Sequence, residues 1–177
     1  MAKKFILCIL LLFAILAVGC DSHRNPLEYQ SKDFVTDATL DINGKNYSVH
    51  IQKDNNSVVM VFKAPSPIKG VSIEKTREGL FFKTGNVHIP IKENSNVTAE
   101  VLRLFDMDLR NLSSNTPEMI GGVKANKAQF NCPFGKAVIY VSSDTGLPIM
   151  AEANINGNDV KLTFSNFSLN ENSNETQ

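Results

Sequence analysis

The stretch Ala38-Thr39-Leu40-Asp41-Ile42-Asn43-Gly44-Lys45-Asn46-Tyr47-Ser48-Val49-His50-Ile51-Gln52 decides the fold class. Ala38, Leu40 and Ile42 alternate with Thr39 and Asp41. Tyr47, Val49 and Ile51 alternate with Ser48, His50 and Gln52. A period of two sends successive side chains to opposite faces, so each run is a strand with one apolar face. Asn43 and Gly44 both tolerate positive φ, which a two-residue turn between antiparallel strands demands. The unit is a β-hairpin.

The same grammar extends outward in both directions. Asp54-Asn55-Asn56 makes the next turn, and Val58 to Phe62 is apolar on both parities, as in a strand covered on two faces. Ala64-Pro65-Ser66-Pro67 breaks the ladder because proline donates no hydrogen bond. Alternation resumes at Val71 and Ile73, turns at Glu78-Gly79 into Leu80 to Lys83, and turns again at Gly85-Asn86 into Val87, Ile89 and Ile91. Further along, Ala128 and Phe130 alternate with Gln129 and Asn131, and Ala137 to Val141 is largely apolar. After the turn at Asp144-Thr145-Gly146, residues Leu147, Ile149, Ala151, Ala153 and Ile155 share a face, and Asn156-Gly157 closes a second clear hairpin. Val160, Leu162 and Phe164 lie on one parity, but Phe167 and Leu169 lie on the other. A bulge near Ser165-Asn166 reconciles them.

One segment has helical spacing. Asn94-Ser95-Asn96 offers N-caps, and Val97, Val101, Leu104 with Leu102, Phe105, Leu109 form a wide apolar stripe. Its polar face is mixed in charge, which suits docking on a sheet better than lying on a membrane. Asn111 to Gly122 reads as loop, with a turn of helix near Pro117 to Ile120. The expected architecture is mainly β with one or two helices. About nine or ten strands form a curved antiparallel sheet, an incomplete β-barrel, with the helix packed on its concave side.

Composition narrows the function. The 177 residues carry 18 Lys+Arg against 18 Asp+Glu, so no broad basic surface for nucleic acid is expected. The ends are a separate matter. Lys3 and Lys4 precede an apolar run from Phe5 to Val18, too short to span a bilayer and of the right length for a secretory signal. Leu16-Ala17-Val18-Gly19-Cys20 resembles a bacterial lipobox, with Ala17 where Leu is usual. That resemblance implies cleavage between Gly19 and Cys20, a lipid anchor on Cys20, and a place on the outer face of the cytoplasmic membrane. An ordinary signal cleaved near Gly19, or an uncleaved anchor, is the alternative. The expected organisation is 1–19 signal peptide, 20–32 tether, 33–169 folded domain and 170–177 disordered tail.

The folded part resembles the LolA/LolB-like family of periplasmic lipoprotein carriers. The resemblance rests on the order of pieces: the opening hairpin, the apolar strand ending in Ala64-Pro65-Ser66-Pro67-Ile68-Lys69-Gly70, the Leu80-Phe81-Phe82 strand, the helix at 97–109, the Asp144-Thr145-Gly146-Leu147-Pro148 turn and the final strand Val160 to Phe167. It implies a half-barrel whose concave face binds acyl chains or lipoproteins. In length, anchoring and composition the chain also resembles the GerS-type germination lipoproteins of clostridia within that fold family. That narrower likeness implies a non-catalytic partner of a spore-cortex peptidoglycan amidase, placed in the spore envelope. Val59, Val61, Phe81, Phe82, Leu102 and Phe105 either line an apolar cavity or form plain core beneath the helix. An open half-barrel also leaves two strand edges, through which a partner or a second copy could add a strand.

Signals for chemistry are sparse. His23 lies in the tether, and His50 and His88 sit on the polar parity of strands. Asp106 and Asp108 project apart on a helix and read as solvated. Ser113-Ser114 and Ser142-Ser143 have no neighbouring His, and Gly121-Gly122 lacks the Lys of a phosphate loop. Cys132 reads as a small half-buried apolar residue. No metal, cofactor or catalytic residue is expected. The expected function is a tethered binding or activating module, with a carrier or receptor of acylated ligands as the alternative.

Overall fold

The computed structural model describes residues 25–92 and 96–170. Gly19, Cys20, the signal peptide, His23, the cap candidates Asn94 and Ser95, and residues 171–177 of the tail lie outside them. Eleven strands form a single antiparallel sheet: β1 (Asp33–Ile42), β2 (Lys45–Lys53), β3 (Ser57–Ala64), β4 (Ser72–Thr76), β5 (Gly79–Thr84), β6 (Val87–Ile91), β7 (Leu112–Ile120), β8 (Val123–Cys132), β9 (Gly135–Ser142), β10 (Pro148–Ile155) and β11 (Asn158–Asn170). Their spatial order is β6-β5-β4-β3-β2-β1-β11-β10-β9-β8-β7, so the sheet is not closed into a barrel. The chain starts in the middle, meanders to one edge, crosses over, and meanders back until β11 pairs with β1. Short turns alone can link such neighbours, which is why the sheet is antiparallel throughout.

The quoted hairpin forms in the expected register, with Leu40 opposite Tyr47 and Ile42 opposite Lys45. Asn43 and Gly44 take φ of 52° and 80°. The bulge also forms. Val35 pairs with Ser168 but Asp37 with Ser165, so β11 carries an extra residue there, and Asn166 takes φ 52°. The slip turns Phe167 and Leu169 back to the side of Phe164, and all three pack against the core.

Three expectations are corrected. First, Leu112–Ile120 is a strand, neither loop nor helical turn. It is polar and holds Pro117, but it lies at the sheet edge, where a missing donor costs little. Gly121-Gly122 is its hairpin turn, with φ of 55° and 85°. Second, the helix is short: α1 covers Val97–Val101, followed by a 3-10 turn at Leu102–Phe105 and another at Leu109–Asn111. Leu109 continues the helical spacing in sequence yet is 43% exposed. Third, part of the expected tether is core. Residues Glu28–Ser31 form a 3-10 turn, with Leu27 and Tyr29 buried. The folded unit therefore begins by Leu27.

The core lies on one face of the sheet. Val58, Met60 and Phe62 of β3, Ile73 of β4 and Leu80 of β5 join Leu40, Val49, Ile51, Ala128, Ile139 and Leu162 there. Val101, Leu102, Leu104 and Phe105 cover them. α1 touches β4 and β10, which are separated by four strands in the sheet. A second, small cluster of Ala125, Tyr140 and Met150 lies apart from this core.

Candidate functional site

An aromatic cluster forms at the seam where β1 meets β11. Phe34 is fully buried and meets Tyr29, Phe105 and Phe167 at ring-centroid distances of 6.1, 5.7 and 4.7 Å. Phe164 closes the group against Phe105 at 6.0 Å and Phe167 at 6.2 Å. Offset and edge-on aromatic contacts of this kind add to area burial. Burial also pushes the Tyr29 phenol far above its ordinary pKa.

The six residues named from sequence as cavity lining are not brought together. Leu102 and Phe105 are buried in the core. Phe82 pairs with Ile73 and thus shares the core face. Val59 and Val61 alternate with buried Val58, Met60 and Phe62, so they point to the opposite face, half-buried. Phe81 joins them through Glu74, which pairs with both Val59 and Phe81, and its ring rests on His88 at 4.6 Å. Because β3 is apolar on both parities, sequence alone gives no sign of which parity faces the helix.

The helical segment is fastened by polar contacts, of which the sequence shows the Asn96 cap and hides the rest. The Asn96 side chain caps α1 by accepting from Thr98 N at 2.9 Å. Glu100 is fully buried and pairs with Arg103 Nε at 3.1 Å. At the far end, Gln30 Nε2 donates to Leu104 O at 2.9 Å, and Met107 N donates to Gln30 Oε1 at 3.1 Å. Lys75 pairs with Asp106. Asp106 and Asp108 stand in solvent, as read from the sequence, and each has a cationic partner there; Asp108 accepts from Arg110 N at 2.8 Å and from Arg110 Nε at 2.7 Å. Hydrogen bonds from Arg110 hold the Asp108 carboxyl below its usual range. Leu104 offers one of the carbonyls a helix end leaves unpaired, and Gln30 satisfies it.

Other polar candidates have structural partners. His50 is half-exposed, and its Nδ1 donates to Asp37 Oδ1 at 2.8 Å beside the bulge. Asn166 Nδ2 donates to the other oxygen of that carboxylate at 3.2 Å. These two hydrogen bonds, His50 first, hold Asp37 below the usual carboxylate range. Ser142 Oγ accepts from Thr145 N at 3.2 Å inside the Asp144-Thr145-Gly146 turn. Cys132 is half-buried with Sγ 3.7 Å from the Met107 sulfur, and burial raises its thiol pKa. Among the described residues, no three His, Cys, Asp or Glu side chains gather where they could hold a metal ion. No described helix is long and apolar enough to cross a membrane.

What stands open is the rim of the sheet. Among the described residues no strand pairs with the outer side of β6 or β7. Val87 and Ile89 of β6 are each 49% exposed, and Met119 of β7 is 59% exposed. Ile89 pairs with Phe82, so this apolar edge continues the core face outward. A shallow cleft of about 460 Å³ opens between the chain's entry and the helix end, lined by Asn25, Leu27, Gln30, Lys53, Asp106 and Leu109 among others.

No protein-family model matches the sequence, and no curated protein matches it. Solved structures do resemble it. An uncharacterized conserved protein from Thermus thermophilus is similar at a TM-score of 0.53 and 13% identity, covering 82% of this chain and 83% of that one. An outer membrane lipoprotein-sorting protein domain from Vibrio parahaemolyticus is similar at 0.49 and 9%, covering 85% and 96%. A LolA superfamily protein from Nitrosomonas europaea is similar at 0.46 and 13%, covering 82% and 92%. The likeness is one of fold.

Proposed function

We propose that this chain is a LolA-like, membrane-anchored lipoprotein that binds and positions another protein of the cell envelope and performs no chemistry of its own. The observation that carries the reading is the contrast between a filled interior and open apolar edges. Phe34, Leu102 and Phe105 are buried beneath the helical segment, and an acyl chain entering there would have to displace them. Val87 and Ile89 offer apolar surface on a strand whose outer ladder is unpaired, and such an edge accepts an added strand readily. We place the helix on the concave side of a curved sheet, supported by its contacts with both β4 and β10.

The anchor belongs to the same proposal. With Asn25 hydrogen-bonded into the entry turn and Leu27 and Tyr29 packed in the core, no more than residues 21–24 separate Cys20 from that turn. An extended chain from Cys20 to Leu27 reaches about 25 Å at most, so the domain stays close to the bilayer. We infer a place on the outer face of the cytoplasmic membrane, and the spore envelope if the germination likeness holds. The partner proposed is a spore-cortex peptidoglycan amidase, supported by likeness in length, anchoring and composition to germination lipoproteins. A carrier of acylated ligands would have to displace the aromatic seam, at a cost of several kcal/mol.

The test is a reconstitution. Purified amidase is assayed on cortex peptidoglycan with and without this chain, and the two are run together on a sizing column. Co-elution and chain-dependent activity support the reading. An amidase that is fully active alone and elutes separately overturns its amidase part. Acylation of Cys20 is checked by mass spectrometry of the membrane-extracted protein, with release into the soluble fraction expected for Cys20→Ser.

A further inference from the structure

The entry of the chain and the end of the crossover helix are fastened to each other by one side chain. Gln30 sits in the Glu28–Ser31 turn, five residues after the first described residue. Its amide spans the end of the helical segment, donating to Leu104 O at 2.9 Å and accepting from Met107 N at 3.1 Å. Its Nε2 also reaches the hydroxyl of Tyr29 at 3.2 Å. A primary amide presents a donor nitrogen and an acceptor oxygen side by side, so it can close two broken backbone ladders at once. The turn that carries it is set from the entry side, where Asn25 Oδ1 accepts from Leu27 N at 2.8 Å. It is set from the core side by Tyr29, edge-on to Phe167 at 5.8 Å.

Apart from this clasp, the helical segment is held by its buried apolar face and a few polar contacts. The α-helical part is five residues long, far below the length at which a helix persists unaided. Beyond Phe105 the backbone leaves helical geometry at Asp106, with φ −140° and ψ 39°. Lys75 holds Asp106 from the sheet, and the Cys132 and Met107 sulfurs touch. The sheet, by contrast, is fastened along the whole β1–β11 and β1–β2 ladders.

We propose that residues 25–31 act as a strap on the crossover segment, with Gln30 as its clasp. Displacing the strap frees residues 102–109 while the sheet remains folded. A partner or a pull that takes hold of the chain's entry thereby changes the shape of the helix end. The inference rests on the geometry alone and stands whether or not Cys20 carries a lipid.

The test is amide hydrogen exchange on the chain from residue 20 onward with Cys20→Ser, compared with its Gln30→Ala, Gln30→Glu and Asn25→Ala forms. Gln30→Ala is expected to speed exchange across 102–109 by about tenfold or more, with β1, β2 and β11 within twofold of the parent. Gln30→Glu keeps an acceptor for Met107 N but sets a carboxylate oxygen against Leu104 O, so it should also raise exchange in this window, and an unchanged rate there would refute the clasp. Asn25→Ala touches neither helix nor sheet and should raise exchange in that same window. If 102–109 exchange is unchanged in Gln30→Ala, or if the sheet speeds up in step with it, the strap is refuted. If Asn25→Ala leaves the window at the parent rate, the link to the chain's entry is refuted.

Discussion

The seam between β1 and β11 and the rim at β6 and β7 are built from similar residues to opposite ends. Both are strands, and both carry large apolar side chains. At the seam, Phe34 and Phe105 are buried, and Phe164 and Phe167 pack half-buried against them. At the rim, Val87, Ile89 and Met119 are about half exposed and have no strand beyond them among the described residues. Apolar area contributes to stability only when folding removes it from water. The seam therefore holds the fold together, and the rim, unpaired among the described residues, contributes little to it.

The contrast is broken most forcefully at Leu102, which is fully buried beside the seam. Leu102→Asp places an unpaired carboxylate there, a cost comparable to the whole stability of about 5–15 kcal/mol expected of such a domain. Circular dichroism should show an unfolded or molten chain at 25 °C. Phe34→Ala opens a void among three rings and should cost about 3–5 kcal/mol, read from the urea midpoint. The double change Val87→Ser with Ile89→Ser should cost under about 1 kcal/mol in the same assay while weakening partner capture. A loss at the rim as large as that at the seam would erase the distinction.

The smallest effect lies between the two regions, at the bulge. Asp37 is held below its ordinary pKa by His50 and Asn166. An unfolded chain would protonate it near about pH 4. Its stabilisation is therefore present above that value and is lost as pH falls toward the lower folded value. The carboxylate is half exposed, so the effect should stay well under about 1 kcal/mol. Asp37→Asn should flatten the acid limb of stability between about pH 4 and the folded value. A steeper limb in the variant would contradict the pairing.

How much of this was legible in sequence follows from what each element is made of. The Asn43-Gly44 and Asn156-Gly157 turns were readable because few other residues accept their backbone angles. The bulge was readable because Phe164 and Phe167 cannot share a face in a regular strand. β7 was hidden because an edge strand needs neither alternation nor a full set of donors, and Leu112-Ser113-Ser114-Asn115-Thr116-Pro117 has the look of a loop. The apolar spacing overruns the helix because Leu109 keeps the period, while Gln30 and Lys75, far off in sequence, fasten its actual end. Leu27 and Tyr29 were hidden for a related reason: two apolar residues among polar ones carry no period, and only Phe34 and Phe167 give Tyr29 a place to go. The parity of β3 was the remaining blind spot, and it separated Val59 and Val61 from Leu102 and Phe105.

Native mass spectrometry of the gently purified chain from residue 20 onward, with Cys20→Ser so that no anchor is attached, tests the filled interior directly. The mass expected is that of the polypeptide alone. A stoichiometric acyl chain or phospholipid retained on the protein would mean the seam opens to hold it, and would contradict a module that works through its rim.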